Sequence, residues 1–280
     1  MYKYIYATIL TICLVLLSAC SANTSPKQQF NAYLPPFDTF FEEEIVPLES
    51  KNTTEDAVWN TDDVDISYIQ PNRKLVALTF DDSPSKTLES ILAVFAEYNE
   101  NNPDCLATAT LFLNSGLITQ ESLPSLHAAT ALGFELGNHT KSHFDLTALS
   151  AEVLQAEIDD TDQMLSSVDR KPRHLLRPPF GRVNDFVKSQ VSTPIINWSI
   201  DTLDWAKTPA EDIYNGILEN LFSGAIVLMH DGYPATVDAL KRLLPDLKNM
   251  GYQVVSVSAL AKAHGCVLRS GSEYIRLRKQ

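Results

Sequence analysis

The stretch KLVALTFDDSP, residues 74–84, sets the reading of the whole chain. Its first seven residues are a short, β-rich apolar run, and the pair Asp81 and Asp82 stands at its end. A helical pattern follows over 87–98, where Leu88, Ile91, Leu92 and Phe95 are spaced three and four apart. Outward from there the alternation repeats. Strands are predicted at 107–113, 134–137, 174–176, 193–198, 224–229 and 252–256, and helices at 120–132, 150–168, 209–221 and 236–250. Pro124 is tolerable only in the first turn of its helix, Gly133 ends that helix, and Ser150 is an N-cap with Glu152 in the turn behind it. Strands alternating with helices predict an α/β fold, a mostly parallel sheet with helices outside, closing into a distorted or incomplete (β/α) barrel. Such barrels gather functional side chains at the C-terminal ends of their strands.

The chain is 280 residues long and 45% hydrophobic, enough for a full core. Its net charge of −13 argues against a nucleic-acid partner held by a basic surface. The N-terminus has one early charge, Lys3, then an apolar run over 5–17 that ends Leu17-Ser18-Ala19-Cys20. This reads as a secretory signal over 1–19 and resembles a bacterial lipoprotein signal, with Cys20 as the lipidated first residue. An uncleaved membrane anchor is the alternative. Either way the protein is extracytoplasmic and tethered to a membrane; Ser21, in place of an acidic residue, favours the outer membrane. Residues 20–70 read as an acidic tether, in which 36–70 carry ten acidic residues and one basic, Lys51. Phe37, Phe40, Phe41 and Trp59 leave open that part of it packs on the domain, which is placed at 71–280. Cys13 leaves with the signal, so Cys105 and Cys266 remain, and their pairing is left open.

Five polar clusters fall at predicted strand ends. Asp81 and Asp82 repel each other unless a cation or another partner sits nearby. In HTKSH, residues 139–143, histidines four apart lie on one face of a helical turn, close enough to share a metal. In RPPFG, residues 177–181, prolines stiffen a loop whose arginine can grip a carboxylate. DTLDW, residues 201–205, and LMHD, residues 228–231, complete the set. Taken singly, each has an ordinary explanation as a turn, a loop or a core histidine.

Taken in order, TFDDxP, HTxxH, RPPFG, DxxDW and LxH resemble the ordered motifs of the NodB-like polysaccharide deacetylases, carbohydrate esterase family 4. The resemblance covers about residues 74–262. It implies a metal-dependent deacetylase on the barrel typical of that family. Asp82, His139 and His143 would hold a divalent metal, zinc by default, with cobalt, nickel or iron also suited to the ligand set. Asp81 would be the general base, held by Arg177, and His230 the general acid, oriented by Asp204 in preference to Asp201. The Phe180 backbone N–H would bind the oxyanion, and Leu228 and Trp205 would line a pocket for the acetyl methyl. Two positions depart from the family: Ser83 stands where glycine is usual, a source of strain if that position needs φ > 0, and Phe180 where tyrosine is frequent. The substrate expected is an acetylated polysaccharide, N-acetylated on GlcNAc. An O-acetyl esterase on a polymer such as acetylxylan and a non-catalytic glycan-binding lipoprotein are the competing readings.

Overall fold

A computed structural model describes residues 57–279 of the chain. The expected signal over 1–19, Cys20, and the tether's first part with Phe37, Phe40 and Phe41 lie outside those residues. The elements are, in order, β1 (Lys74–Ser83), α1 (Leu88–Asn101), β2 (Thr110–Leu113), α2 (Leu123–Ala131), β3 (Glu135–Asn138), α3 (Ala151–Asp169), α4 (Asp185–Gln190), β4 (Ile195–Ile196), β5 (Ile200–Asp201), α5 (Ala210–Asn220), β6 (Ala225–His230), α6 (Pro234–Asn249), β7 (Tyr252–Val255), α7 (Val257–His264) and β8 (Glu273–Tyr274).

β1 is the central strand, and the two-residue period of a strand divides its side chains between two faces. Val76, Leu78 and Phe80 pack with the helices, among them Ile91 and Phe95 of α1 and Leu240 and Leu243 of α6. Leu75 and Ala77 turn the other way, into a cluster with Phe112, Ile196, Ile226 and Val255. With both faces covered, the run is apolar throughout instead of alternating. Burial of each large side chain here contributes about 1.5–3 kcal/mol.

All the strands of the main sheet are parallel. β6 pairs along one edge of β1, while β2 and β7 share the other, at its C-terminal and N-terminal halves. β3 extends the sheet beyond β2, and β5 extends it beyond β6. Leu176 then bridges Asn138 of β3 to Ile195 of β4. From β4 the chain runs directly on into β5, so this side of the barrel is completed by the single bridges at Leu176 and by the chain itself, with no pairing between β4 and β5. The result is a distorted (β/α) barrel, regular around β1 and thin around Leu176.

That thin side is where the predicted strands differ most from the structure. Of residues 174–176 only Leu176 is paired, by two isolated bridges, to Asn138 and Ile195, and no strand forms. The run over 193–198 divides into β4 and β5 because its backbone changes partner: Ile196 N donates to Leu176 O, Asn197 N to Tyr274 O, and Ser199 N to Ile226 O. α2 starts at Leu123, not 120, with Pro124 in its first turn and a turn closed from Ser122 N to Thr119 O before it. α3 matches its signals: Ser150 Oγ accepts from Val153 N, and Glu152 lies in the first turn.

The boundary between tether and domain also moves. Trp59, Val64, Ile66, Tyr68 and Ile69 pack half-buried on the cluster that contains Leu260 and Ala261 of α7. Trp59 N donates to Leu268 O, and Lys262 Nζ donates to the carbonyls of Asp62 and Val64. Among the described residues, packing on the domain therefore extends N-terminal to residue 71, over 59–69. Those apolar residues follow no period, because they cover a surface by irregular backbone. Cys105 and Cys266 are both free thiols.

Beneath β3 lies a buried ion cluster. His174 sits between Asp162 (3.0 Å) and Asp169 (3.1 Å), and Asp162 also accepts from Asn138 Nδ2. Burial opposes charge on the imidazole, but the two carboxylates outweigh it and lift its pKa to about 9. This contribution is complete below the unfolded pKa near 6.5 and is lost as the pH rises through about 9. A shift of that size corresponds to roughly 3 kcal/mol. Replacing His174→Gln should cost about 2–4 kcal/mol in urea unfolding at pH 6, and the gap should narrow by pH 10. A gap that stays constant across that range would contradict the charged assignment.

Candidate active site

β1 ends in two carboxylates that a regular strand would send to opposite faces. The strand is not regular there. Its register with β2 slips between Phe80 and Ser83, and Asp82 adopts φ +62°. A bulge re-aims side chains, and aspartate is one of the few residues that tolerate left-handed φ. Asp81 Oδ2 and Asp82 Oδ1 consequently both lie 3.7 Å from His139 Nε2. The positive φ falls on Asp82 and not on Ser83, so serine in place of the family's glycine carries no such strain.

The histidines reach the site differently from what their spacing predicts. They share no helical turn. His139 leaves the end of β3, and Thr140 and His143 both take positive φ, at 65° and 57°, in an irregular loop. Side chains pin that loop. Asn114 Nδ2 donates to the carbonyls of His139 and Thr140, Thr140 N donates to Asn138 Oδ1, and Ser142 N to Glu157 Oε2. His139 Nδ1–H donates to Arg177 O at 2.6 Å, which leaves Nε2 as the lone pair turned to the carboxylates. His143 Nε2 lies 3.5 Å from Asp82 Oδ1.

One ligating atom from each of Asp82, His139 and His143 lies within 4.8 Å of the others. Ligands about 2.1 Å from a tetrahedral ion stand roughly 3.4 Å apart, so the three fit one divalent ion with little movement. Burial pushes the His139 pKa down, against the pull of Asp81 and Asp82. A neutral imidazole is the form that binds metal.

Arg177 is wholly buried, and each of its three side-chain nitrogens donates to the protein. Nη1 donates to Asp81 Oδ1 at 2.7 Å and to Thr79 Oγ1 at 2.6 Å; Nε donates to Ile196 O and Nη2 to Asn197 O. The guanidinium carbon lies 4.0 Å from the centre of the Phe112 ring. Gly137 makes room for that ring, since a Cβ there would lie 2.5 Å from it. With Oδ1 of Asp81 held by arginine, Oδ2 is the oxygen left facing the histidines.

Asp81 and His230 are register partners on adjacent parallel strands, so they stand on the same face. His230 Nδ1–H donates to Asp204 Oδ1 at 2.8 Å. The other oxygen, Asp204 Oδ2, accepts from His230 N and Thr236 Oγ1. Burial alone would depress the His230 pKa, but the Asp204 hydrogen bond and the charges of Asp81, Asp204 and Asp82 raise it overall. Asp201 is turned elsewhere, accepting from Leu203 N. Leu228 is buried two residues before His230, on the same face of β6. Trp205 is 51% exposed beside Asp204, and Phe180 is 60% exposed, its ring centre 4.7 Å from that of His143.

Phe112, Asn114, Gly137 and Asn138 support the site and were not singled out in the sequence; Thr79, which also does, stood there only as the first residue of TFDDxP, with no role given. Each is an ordinary strand or strand-end residue, and nothing local distinguishes it. Asn138 offered the one available signal, since it immediately precedes His139.

The geometry agrees with what the chain is similar to. The profile of the polysaccharide deacetylase family matches residues 69–193. A peptidoglycan-N-acetylglucosamine deacetylase of Bacillus cereus is 35% identical over 200 residues, which cover 68% of this chain and 90% of that protein. Peptidoglycan-N-acetylmuramic acid deacetylase PdaC of Bacillus subtilis is 33% identical over 193 residues, covering 69% of this chain and 40% of that protein. The chain thus spans most of the first relative but well under half of the second. Among solved structures, a family 4 acetyl xylan esterase from Clostridium thermocellum, in complex with a cobalt ion, superposes with a TM-score of 0.67 at 25% identity, covering 73% of this chain and 99% of that one. On these matches, and on the fold they share, the chain belongs to the polysaccharide deacetylase family, carbohydrate esterase family 4.

Proposed function

We propose that the protein is a metal-dependent N-deacetylase acting on a GlcNAc-containing polysaccharide of the cell envelope and releasing acetate. The observation that carries this reading is the convergence of Asp82, His139 and His143 within 4.8 Å, beside Asp81 and His230. The name of the Bacillus cereus relative supports the substrate class. Lipidation of Cys20 would hold the domain at a bacterial membrane, with the outer membrane favoured by Ser21.

Amide hydrolysis needs an activated water, stabilisation of a tetrahedral oxyanion, and a proton for the departing amine. Asp82, His139 and His143 would hold a divalent ion, zinc by default and cobalt, nickel or iron by the same donor chemistry, and such an ion would supply Lewis acidity toward the acetyl carbonyl and toward water. Asp81 Oδ2 takes the proton of the attacking water. Arg177 fixes the orientation of that carboxylate through Oδ1. The Phe180 backbone N–H donates to the oxyanion, and Leu228 and Trp205 flank the acetyl methyl. His230 Nε2 gives its proton to the amine nitrogen. Asp204 holds the imidazole through Nδ1 and stabilises the imidazolium until that transfer.

Two experiments test these roles. Acetate release is measured with metal-loaded protein on chitooligosaccharides, peptidoglycan and acetylxylan. Release from the first two, lost on chelation and restored by zinc or cobalt, is expected. Release from acetylxylan alone replaces the reading with an O-acetyl esterase, and stoichiometric metal without any release with a glycan-binding protein. Asp81→Asn and His230→Ala should each lose about 10²–10⁴-fold in kcat, and near-normal turnover in either would remove its role.

The second experiment follows His230 by NMR titration. In Asp204→Asn the charge-assisted bond that favours the imidazolium is gone, while burial still opposes it and only Asp81 and Asp82 still favour it, so the His230 pKa should fall. The high-pH limb of kcat should move down with it. An unchanged His230 titration would rule out Asp204 as its partner.

A further inference from the structure

Asp231 takes no part in the steps above, yet it is among the most heavily bonded side chains near the site. It is 3% exposed. Its Oδ2 accepts from Ser83 Oγ at 3.0 Å and Ser85 N at 2.7 Å. Its Oδ1 accepts from Ser85 Oγ at 3.1 Å and Thr87 Oγ1 at 2.7 Å. Its own N–H donates to Asp81 O at 2.9 Å. Thr87 Oγ1 in turn accepts from Gly232 N.

These bonds fall on both sides of one residue. Asp81 and Ser83 flank Asp82, and Asp231 holds the first by its backbone and the second by its side chain. Asp82 lies between them at φ +62°, where the register with β2 slips. A conformation that L-residues avoid persists only where the surroundings over-determine it. Ser83 supplies a hydroxyl donor to this clamp that a glycine could not. Thr87 stands at the N-cap of α1 but makes no side-chain cap to it; its hydroxyl goes to Asp231 instead.

We propose that Asp231 is a positioning residue for Asp82: it anchors the backbone on either side of the bulge, and so aims the Asp82 carboxylate at His139 and His143. Ser83 is its partner in that task. The inference rests on reading Asp82, His139 and His143 as a metal site. Removing a group that orients a metal ligand typically weakens affinity about 10–100-fold. A role confined to holding the loop over 83–87 would lower stability and leave affinity alone.

The test uses the full-length protein and zinc as probe, with affinity read by chelator competition and the unfolding midpoint of the metal-free protein read in parallel. Asp231→Asn keeps the shape but turns an amide toward donors. It should bind zinc about 10–100-fold more weakly. Ser83→Gly removes one hydroxyl at a position where the family usually has glycine, so it is the variant expected to fold under all circumstances. It should lose affinity several-fold. In an Asp231→Ala background Ser83→Gly should cost nothing further, because the hydroxyl no longer has its acceptor. Zinc affinity within two-fold of wild type in Ser83→Gly, or an equal Ser83→Gly loss with and without Asp231, overturns the proposal. Wild-type protein that binds no zinc, or binds it equally after Asp82→Asn, overturns the metal reading itself and this inference with it.

Discussion

A guanidinium with no exposed surface sits at the centre of this barrel, and the rest of the site is arranged around its neutralisation. A buried charge is expensive unless it is paired and fully hydrogen-bonded. Arg177 is paired with Asp81 and donates four hydrogen bonds, to Asp81, Thr79 Oγ1 and two backbone carbonyls, and its flat face covers Phe112. These partners come from β1, β2, β4 and the residue that follows β4. The arginine therefore spans from the regular side of the barrel to the side closed by single bridges. It ties the loop bearing Phe180 to the strand end bearing both aspartates. Its carbonyl also fixes the His139 ring, so one residue orients Asp81 and His139 together.

Around that centre, unusual backbone is concentrated. Asp82, Thr140, His143, Phe180 and Leu203 all take positive φ without being glycine. Each lies in or beside one of the five polar clusters. Conformations of this kind persist where surrounding bonds compensate them, and they mark functional sites. Here the compensating groups are identifiable: Asn114, Asn138 and Glu157 for the histidine loop, and Asp231 for the bulge. The site is thus assembled from strand ends and loops whose rigidity is supplied by polar side chains, not by helix or sheet.

The elements legible in the sequence were those with a period or a cap. α1, α3 and α6 lie close to their predicted bounds because their apolar positions repeat and, for α3, because Ser150 marks its start; β1 and β6 do so because each is an unbroken apolar run that ends at polar residues. α7 was missed although Ser256 and Gly265 flank it as cap and stop, since its buried residues leave no polar face to reveal a helical period. α4 and β8 are too short to carry a pattern. The aromatic and aliphatic residues between Trp59 and Ile69 read as tether because they pack one by one along irregular backbone. For the histidines the expected proximity was right in outcome and wrong in cause: a loop with two positive φ angles, not a helical turn, brings them together.

The amino-acid order alone established the alternation of strands and helices, the placing of five polar clusters at strand ends, and the resemblance that links them. Those properties are local, encoded in residue type and spacing. What only the tertiary structure decided is which atoms meet. The bulge that turns Asp82 to the same side as Asp81, the two bonds that set both Asp204 oxygens against His230, and the four bonds on Asp231 all join residues distant along the chain or reverse a local rule. They depend on register between strands, which no single stretch of sequence contains.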